Sequence, residues 1–455
     1  MPERPDLSLP LRVHLVGIGG AGMSAYASVL AAMGHRVSGS DHRPSAALDR
    51  LVAAGVTAVV GHDPASVAGA DLVAASTAVP AGSPELVEAR RLGLPVLSRA
   101  ELLSAICATR RTVAVAGTKG KTTTTAMLAG ILDAAGWRPS VLVGGDLPGG
   151  GGARWVDPGE WLVVEADESD GTFLDLGAEA VAVTNLEADH LDHWGSMDAL
   201  SAAFARFLSA ARGPRVLGID TPASAALAES AEVRTVGTSP AAQWRLSEVE
   251  VGREETTFTL TPPGEGGLVI QLPVPGLHNA RNAAVAVTTA AGLGIQPAVA
   301  AEALAAFRPV SRRFERRGER GGAVLVDDYA HLPSAIAAAV ATARAGRWSR
   351  VLAVFQPHLY SRTAAMHREL GAALAQADVV VITDVYGARE EPVAGVDGRL
   401  VADAAVAAGA PQVVYVPERA ELAAAIAALL RPGDLCLTLG AGDVTELAAE
   451  LLDPA

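Results

Sequence analysis

Lysine is almost absent from this chain. In 455 residues Lys119 and Lys121 are the only two, and every other cation among the 36 Lys+Arg is arginine. A sequence that has replaced its surface lysines and kept two inside one glycine stretch retains them for what a compact ammonium does and a planar guanidinium does not. Cysteine is nearly as scarce. Cys107 and Cys436 stand far apart in apolar surroundings, without the spacing of a zinc site or a disulfide framework, which fits a reducing compartment. No run approaches the roughly 18 consecutive apolar residues of a membrane span, and Met1 to Pro10 has no apolar core behind a basic patch. A soluble, cytoplasmic protein is expected. Positive charge is not in excess either: the formal net charge is −14, and the arginines are scattered except around 308–320. Nucleic acid or an anionic membrane is therefore excluded as the principal partner.

What is present is enough apolar residue, 50% of the chain, to fill several cores. At this length two or three domains are expected. The retained lysines lie in Val113-Ala114-Val115-Ala116-Gly117-Thr118-Lys119-Gly120-Lys121-Thr122-Thr123, an apolar β-branched run that breaks at glycine and starts a helix. In such a loop backbone N–H groups and the helix dipole face an anion, a lysine reaches terminal phosphates and a hydroxyl binds Mg²⁺. Lys121 and Thr122 stand where those two roles require them, although Val115 replaces the first glycine of the strict pattern.

The first hundred residues alternate strands and helices. Leu11 to Val16 reads as a strand, Gly17-Ile18-Gly19-Gly20-Ala21-Gly22 as a turn, Met23 to Met33 as a helix, and Arg36 to Gly39 as a strand ending at Ser40-Asp41. A G-x-G-x-x-G turn with an acid about 20 residues on is the spacing of a dinucleotide fold. The glycines specify only close approach to a diphosphate, so NAD, another nucleotide such as a UDP-sugar, and no ligand all remain open. His62, Ser76-Thr77-Ala78 and Arg99 fall at or near strand ends, where open α/β sheets bind ligands. Further on, Leu162 to Glu165 is a buried strand closing on an acid, followed by Ala166-Asp167-Glu168-Ser169-Asp170, and Val181 to Thr184 runs into Asn185 through His193. Carboxylates beside a phosphate loop suit Mg²⁺; His190 is a ligand or a loop residue. Between Ala231 and Pro275 a Thr/Val-rich alternation predicts a small antiparallel insertion. Pro275 to Asn282 opens an alanine-rich helix that Asn279 can cap. After the arginine-dense segment 308–320 the strand–helix rhythm resumes, with Val324–Val326, Val351–Phe355, Val379–Thr383 and Leu435–Leu439 each leading into a polar cluster.

Taken in order, the glycine turn, the Gly-Thr-x-Gly-Lys-Thr loop, Val164 to Asp170, Asp189-His190-Leu191-Asp192, Pro275 to Asn279, Arg312-Arg313-Phe314-Glu315 and Phe355-Gln356-Pro357-His358 resemble the Mur ligases of peptidoglycan synthesis over essentially the whole chain. The resemblance implies an α/β protein of three domains: a Rossmann-like one over 1–108 for a UDP-sugar, a P-loop ATPase-like one over 109–308 with a mostly parallel sheet, and a Rossmann-like C-terminal one over 309–455 for the amino acid. It implies ATP and Mg²⁺. The reaction would activate the carboxylate of UDP-N-acetylmuramate as an acyl phosphate, which the amino group of L-alanine attacks. The alternative is a sibling that attaches a preformed tripeptide to the same UDP-sugar.

By motif, Gly117, Thr118, Lys119, Gly120, Lys121, Thr122 and Thr123 hold the ATP phosphates. Thr122, Glu165 and His190 hold metal. Asn279 and Asn282 contact adenine, and Arg313 and Asp327 the nucleotide from the third domain. Gly19, Gly20, Ala21, Gly22, Met23, Ser24, Asp41, His62, Ser76 and Thr77 take the UDP-sugar, and His331, His358 and Arg362 orient the alanine and the acyl phosphate. The chemistry is assigned to Lys121, Glu165, His190, His358 and Arg362, with domain closure expected to accompany it. A monomer or weak homo-oligomer is expected. The sequence departs from the family at Lys119, usually histidine; at Leu332, Ser334 and Ala335, which remove a histidine and a carboxylate; and at Leu359, often arginine. Siblings that add later amino acids use a carbamylated lysine in the central domain. This chain has no lysine after Lys121 and cannot build that bridge. An NAD oxidoreductase would leave the phosphate loop without a role, and an inactive binding protein would not be expected to keep both Lys121 and Glu165.

Overall fold

A computed structural model describes residues 5–147, 150–388 and 390–453, apart from the side chains of Ala21 and Asp192; the ligand contact expected of the Ala21 side chain lies outside that description. Short β-branched runs separated by alanine-rich helices build three sheets. The first holds β1 (Arg12–Val16), β2 (Arg36–Asp41), β3 (Thr57–Val60), β4 (Leu72–Ala75) and β5 (Val96–Ser98) in the order β3-β2-β1-β4-β5, every pair parallel. Strand order reverses beside β1, so its carboxyl end, where the glycine turn begins, is the switch point at which such sheets take ligands.

The second sheet holds β6 (Arg111–Ala116), β7 (Ser140–Leu142), β8 (Ala153–Arg154), β9 (Trp161–Glu165), β10 (Ala180–Val183), β11 (Arg215–Gly218), β12 (Arg234–Gly237), β13 (Trp244–Val251), β14 (Thr256–Thr261) and β15 (Leu268–Leu272). Their order is β15-β14-β13-β12-β11-β10-β6-β9-β7-β8. β6 pairs in parallel with both β9 and β10, so the phosphate loop leaves the sheet between two acidic strand exits. At the start of the segment after Ala231, β12 pairs in parallel with both β11 and β13; the helix Pro222–Ser230 carries the chain back between β11 and β12.

The third sheet holds β16 (Glu315–Arg320), β17 (Ala323–Asp328), β18 (Val351–Phe355), β19 (Val379–Ile382), β20 (Val413–Tyr415) and β21 (Leu435–Leu439) in the order β16-β17-β21-β18-β19-β20. β16 is an antiparallel edge on an otherwise parallel sheet. β17 runs on through Asp327 and Asp328, both buried, two residues beyond where the apolar run stops.

The chain divides into two compact units, 1–247 with 259–270 and 281–307, and 248–258 with 271–280 and 308–455. In the first unit one apolar cluster extends from Leu7 through Leu102, Ile106, Phe173 and Phe204 to Ala242. The helix Arg99–Ala108 joins β5 to β6 and packs on the turn Thr172–Asp175, where the Ser104 hydroxyl donates to the Asp175 carbonyl at 2.6 Å. Among the described residues no helix is long and apolar enough to cross a membrane.

Candidate active site

β6 ends at Ala116 and the helix Lys121–Ala134 begins after Gly120. Gly117 and Gly120 have φ of +130° and +81°, and a β-carbon on either would overlap a neighbour, the Thr184 hydroxyl and the Asn282 amide oxygen respectively. Both positions therefore exclude other residues twice over, by backbone conformation and by space. The exit of β10 holds the loop from the other side. Thr184 Oγ1 and Asn185 Nδ2 donate to the Lys119 carbonyl at 2.5 and 2.9 Å, while Asn185 Oδ1 accepts the Lys119 N–H at 3.0 Å. The Thr118 hydroxyl accepts the Glu187 N–H at 2.9 Å, and the Lys119 ammonium pairs with the Glu187 carboxylate. Lys119 is a buttress of the loop in this arrangement.

Lys121 turns inward. Its Nζ donates to the Gly117 carbonyl and to both oxygens of Glu168, each at 2.8 Å. Burial disfavours the ammonium, but the fields of Glu168, Asp167 and Glu165 outweigh it and keep the Lys121 pKa above its ordinary value. The same burial pushes Glu168 up. Thr122 Oγ1 donates to Glu165 Oε2 at 2.8 Å, and that oxygen also accepts the Gly144 N–H at 2.8 Å. Thr123 is buried behind them. A hydroxyl, a carboxylate and a lysine at a helix N-terminus are a donor set suited to Mg²⁺ and phosphate. His190 sits at φ +52° with Nε2 3.7 Å from Asp189 Oδ2. Among the described residues no three His, Cys, Asp or Glu side chains gather as a metal group.

At the glycine turn the Gly19 N–H donates to Asp41 Oδ2 at 2.8 Å, so the acid holds the turn itself. Gly20 accepts the Ser24 N–H at 2.8 Å at the helix start. Met23 is buried in the core and offers a ligand only its backbone. The Ser76 N–H donates to the Val16 carbonyl at 3.0 Å, beside Gly17, and Thr77 is exposed. His62 Nδ1 lies 2.8 Å from Oε2 of Glu85, a fully buried acid that also takes Ser40 Oγ at 2.9 Å and His14 Nε2 at 3.3 Å. Burial favours the protonated acid, but these hydrogen bonds prevail and hold Glu85 below its ordinary pKa.

In the second unit the exits of β17 and β18 bring His331, His358 and Arg362 together. Arg362 Nη1 donates to His358 Nδ1 at 3.1 Å, the His331 and His358 rings are 5.9 Å apart, and His358 stacks on Tyr386 at 6.0 Å. Burial, helped by the charges of Arg362 and Arg313, depresses the His331 pKa to about 4. Neutral His331 donates Nδ1–H to the Tyr329 carbonyl at 3.0 Å, leaving Nε2 as an acceptor. Arg312 and Arg313 lie over the Tyr329 ring. Asp327 is fully buried, accepting the Thr445 hydroxyl at 2.6 Å and facing Arg312 Nε at 3.4 Å, so its carboxylate braces an arginine. Asn279 does not cap its helix: it lies within Leu277–Gly292 and donates to the Pro275 carbonyl, four residues back, at 2.8 Å. Asn282, three residues on, lies over Gly120.

Sequence reasoning missed the partners. Glu168 for Lys121, Glu187 for Lys119, Glu85 for His62 and Asp167 for Arg99 all come from distant segments; their one signal was the position of three of them in acidic stretches after β9 and β10.

Three family models match, the Mur ligase family, catalytic domain over residues 12–111, the Mur ligase middle domain over 157–290 and the Mur ligase, glutamate ligase domain over 312–442. The chain belongs to the Mur ligase family. This Mur ligase is 48% identical to the UDP-N-acetylmuramate–L-alanine ligase of Kineococcus radiotolerans, with 97% of this chain and 96% of the relative covered. It is 42% identical to the ligase of the same name from Thermobifida fusca at the same coverage. Among solved structures, the UDP-N-acetylmuramate-alanine ligase of Thermotoga maritima superposes with a TM-score of 0.84 at 29% identity, covering 97% of this chain and 98% of that one. A murein peptide ligase from Psychrobacter arcticus covers the same shares with a TM-score of 0.68 at 25% identity.

Proposed function

We propose that this Mur ligase joins L-alanine to the carboxylate of UDP-N-acetylmuramate in the cytoplasm, through an acyl phosphate and with release of ADP and phosphate. The observation that carries this reading is the full-length likeness to ligases named for that pair of substrates, such as those 48% and 42% identical. The greater likeness to an alanine ligase fold than to a peptide ligase fold supports alanine over a tripeptide. Residues 1–108 take the UDP-sugar, 109–308 take ATP, and 309–455 take the amino acid.

The phosphate loop fits ATP with Mg²⁺, since Lys121, Thr122 and Glu165 bring a cation, a hydroxyl and a carboxylate together at the N-terminus of the helix Lys121–Ala134. When bound, ATP supplies the phosphoryl group that activates the carboxylate, and Mg²⁺ offsets negative charge between the two anionic reactants. Lys121 exchanges Glu168 for phosphate oxygens and holds a positive charge where negative charge develops. Glu165 and Thr122, joined by His190 from the exit of β10, hold the ion, and Asn279 and Asn282 face the adenine. His358 and Arg362 orient the carboxylate of the incoming alanine, with the acceptor Nε2 of neutral His331 available to its ammonium. The test is ADP release from the purified chain given ATP, UDP-N-acetylmuramate and, in turn, L-alanine, glycine, L-serine or the tripeptide. Turnover with L-alanine and not with tripeptide is expected; efficient use of the tripeptide with negligible use of alanine overturns the reading.

A further inference from the structure

Glu85 is a fully buried acid in the first turn of the helix Pro84–Arg91, and its ion-pair partners among the described residues are two histidines. Burial alone would protonate it, but hydrogen bonds from His14, Ser40 and His62 prevail, so at neutral pH Glu85 is a carboxylate and offers only lone pairs. All three neighbours must then donate. His14 gives Nε2–H to Oε1 at 3.3 Å and takes the Ser38 hydroxyl on Nδ1 at 2.9 Å. The Ser40 hydroxyl donates to Oε2 at 2.9 Å, and its oxygen lies 3.1 Å from His62 Nδ1. His62 gives Nδ1–H to the same Oε2 at 2.8 Å. One carboxylate thereby sets the proton placement on two imidazoles.

The two rings differ in what remains. His14 is buried, with both nitrogens engaged inside the sheet, whereas the His62 side chain is 27% exposed. Because Nδ1 faces the buried acid, the open side of the His62 ring is the far one, which carries Nε2, and no described residue bonds that atom. With Nδ1 protonated, Nε2 of the neutral ring is an acceptor. Its place is set as well. The Ser40 carbonyl receives the Gly17 and Ile18 N–H groups at 2.8 and 3.1 Å, so the residue whose hydroxyl holds Glu85 also holds the glycine turn. An ionised diphosphate has no N–H or O–H to give an acceptor, but the ribose, the uracil and the amino sugar do. We infer that Glu85 is a positioning residue for the UDP-sugar, holding His62 so that Nε2 accepts a hydroxyl or N–H group of that substrate. His14 is the strut on the other carboxylate oxygen. The inference rests on the proposed substrate and on His62 as one of the residues that take it.

The test has two arms on the full chain. Nitrogen NMR of ring-labelled histidine, with the His62 signals assigned by their loss in His62→Asn, is expected to show a protonated Nδ1 and a bare Nε2 at neutral pH; the reverse tautomer, or a mixture of the two, overturns the inference. Calorimetry then compares UDP and UDP-N-acetylmuramate on the unchanged protein, Glu85→Gln and His62→Asn. Glutamine puts N–H groups where only an acceptor stood, so Glu85→Gln is expected to free the His62 tautomer and weaken binding about three- to tenfold, the range for one neutral hydrogen bond, with ATP binding unaltered. Asparagine keeps an amide N–H at the place of Nδ1 and has no atom at Nε2. His62→Asn is therefore expected to melt like the unchanged protein and bind as weakly as Glu85→Gln, and it decides alone if the glutamine variant does not fold. A loss for both compounds puts the donor on the uridine, and a loss for UDP-N-acetylmuramate alone puts it on the sugar. Undiminished binding of both by either folded variant reduces Glu85 to a structural clamp and overturns the inference. An unchanged protein that binds neither compound sinks the substrate reading and the inference with it, a result the tautomer arm keeps distinct from a failure of Glu85 to hold His62.

Discussion

Lys121 is held by three acceptors, the Gly117 carbonyl and both oxygens of Glu168, in a pocket that fits a point charge. Arg in its place carries the same charge on a wider, planar head. Lys121→Arg is expected to lose most turnover in steady-state assays of ADP release, and near-normal turnover would remove the assigned role. Lys119→His should be far milder, since Lys119 pairs with Glu187 at the rim of the loop and histidine is the residue usual at this position in the family. His331 carries a pH dependence. It titrates near 4 in the folded chain against an ordinary 6.5. Between those values the unfolded chain binds more protons, so this residue's contribution to stability grows with pH across the window, is complete above it, and is lost as pH falls from 6.5 toward 4. The full swing is on the order of 3 kcal/mol. Urea midpoints between pH 4.5 and 7 should rise less steeply in His331→Gln than in the unchanged chain; equal slopes would assign the dependence elsewhere.

At the scale of elements, the strand–loop–helix carrying Lys121 depends on a neighbour in the helix Leu277–Gly292. Gly120→Ala meets two penalties, a positive φ and overlap with Asn282, together on the order of 1–3 kcal/mol. Adding Asn282→Ala relieves only the second. A melting comparison should show the double variant recovering part of the lost stability, and no recovery would leave backbone conformation as the whole cost. Elements of this kind were readable because their signals are local. β18 and β21 span the residues that the apolar runs indicated, β1 and β9 agree within a residue, and the phosphate loop lies where glycine interrupts a β-branched run. The misreadings have physical causes. Asp327 and Asp328 look like a loop after Val326, yet β17 accommodates them because Asp328 accepts the Phe314 and Ala330 N–H groups and Asp327 meets Thr445 and Arg312. The direction of β12 and β13 depends on crossovers and not on alternation. The acids paired with Lys121, Lys119 and Arg99 lie 47, 68 and 68 positions away, and only the fold decides which carboxylate arrives.

For the molecule as a whole, the scarcity of lysine becomes a chemical restriction. Neither lysine is free to act as a carbamylated bridge, since Lys119 and Lys121 are engaged by Glu187 and Glu168. Turnover in carbon dioxide-depleted buffer is therefore expected to be unaffected by added bicarbonate, and a clear stimulation would contradict the metal site as assigned. The apolar cluster of the first unit sets a second restriction. Because the helix Arg99–Ala108 lays Leu102, Leu103 and Ile106 into a core that also holds Phe173 and Phe204, residues 1–108 made alone should bind an apolar dye and melt without a sharp transition; a cooperative, dye-silent fragment would show the shared core to be dispensable. During synthesis the same dependence runs in time. The glycine turn leaves the ribosome first, but its supporting core is incomplete until residues some hundred positions downstream have emerged, so the earliest nucleotide site of the nascent chain is among the later ones to mature.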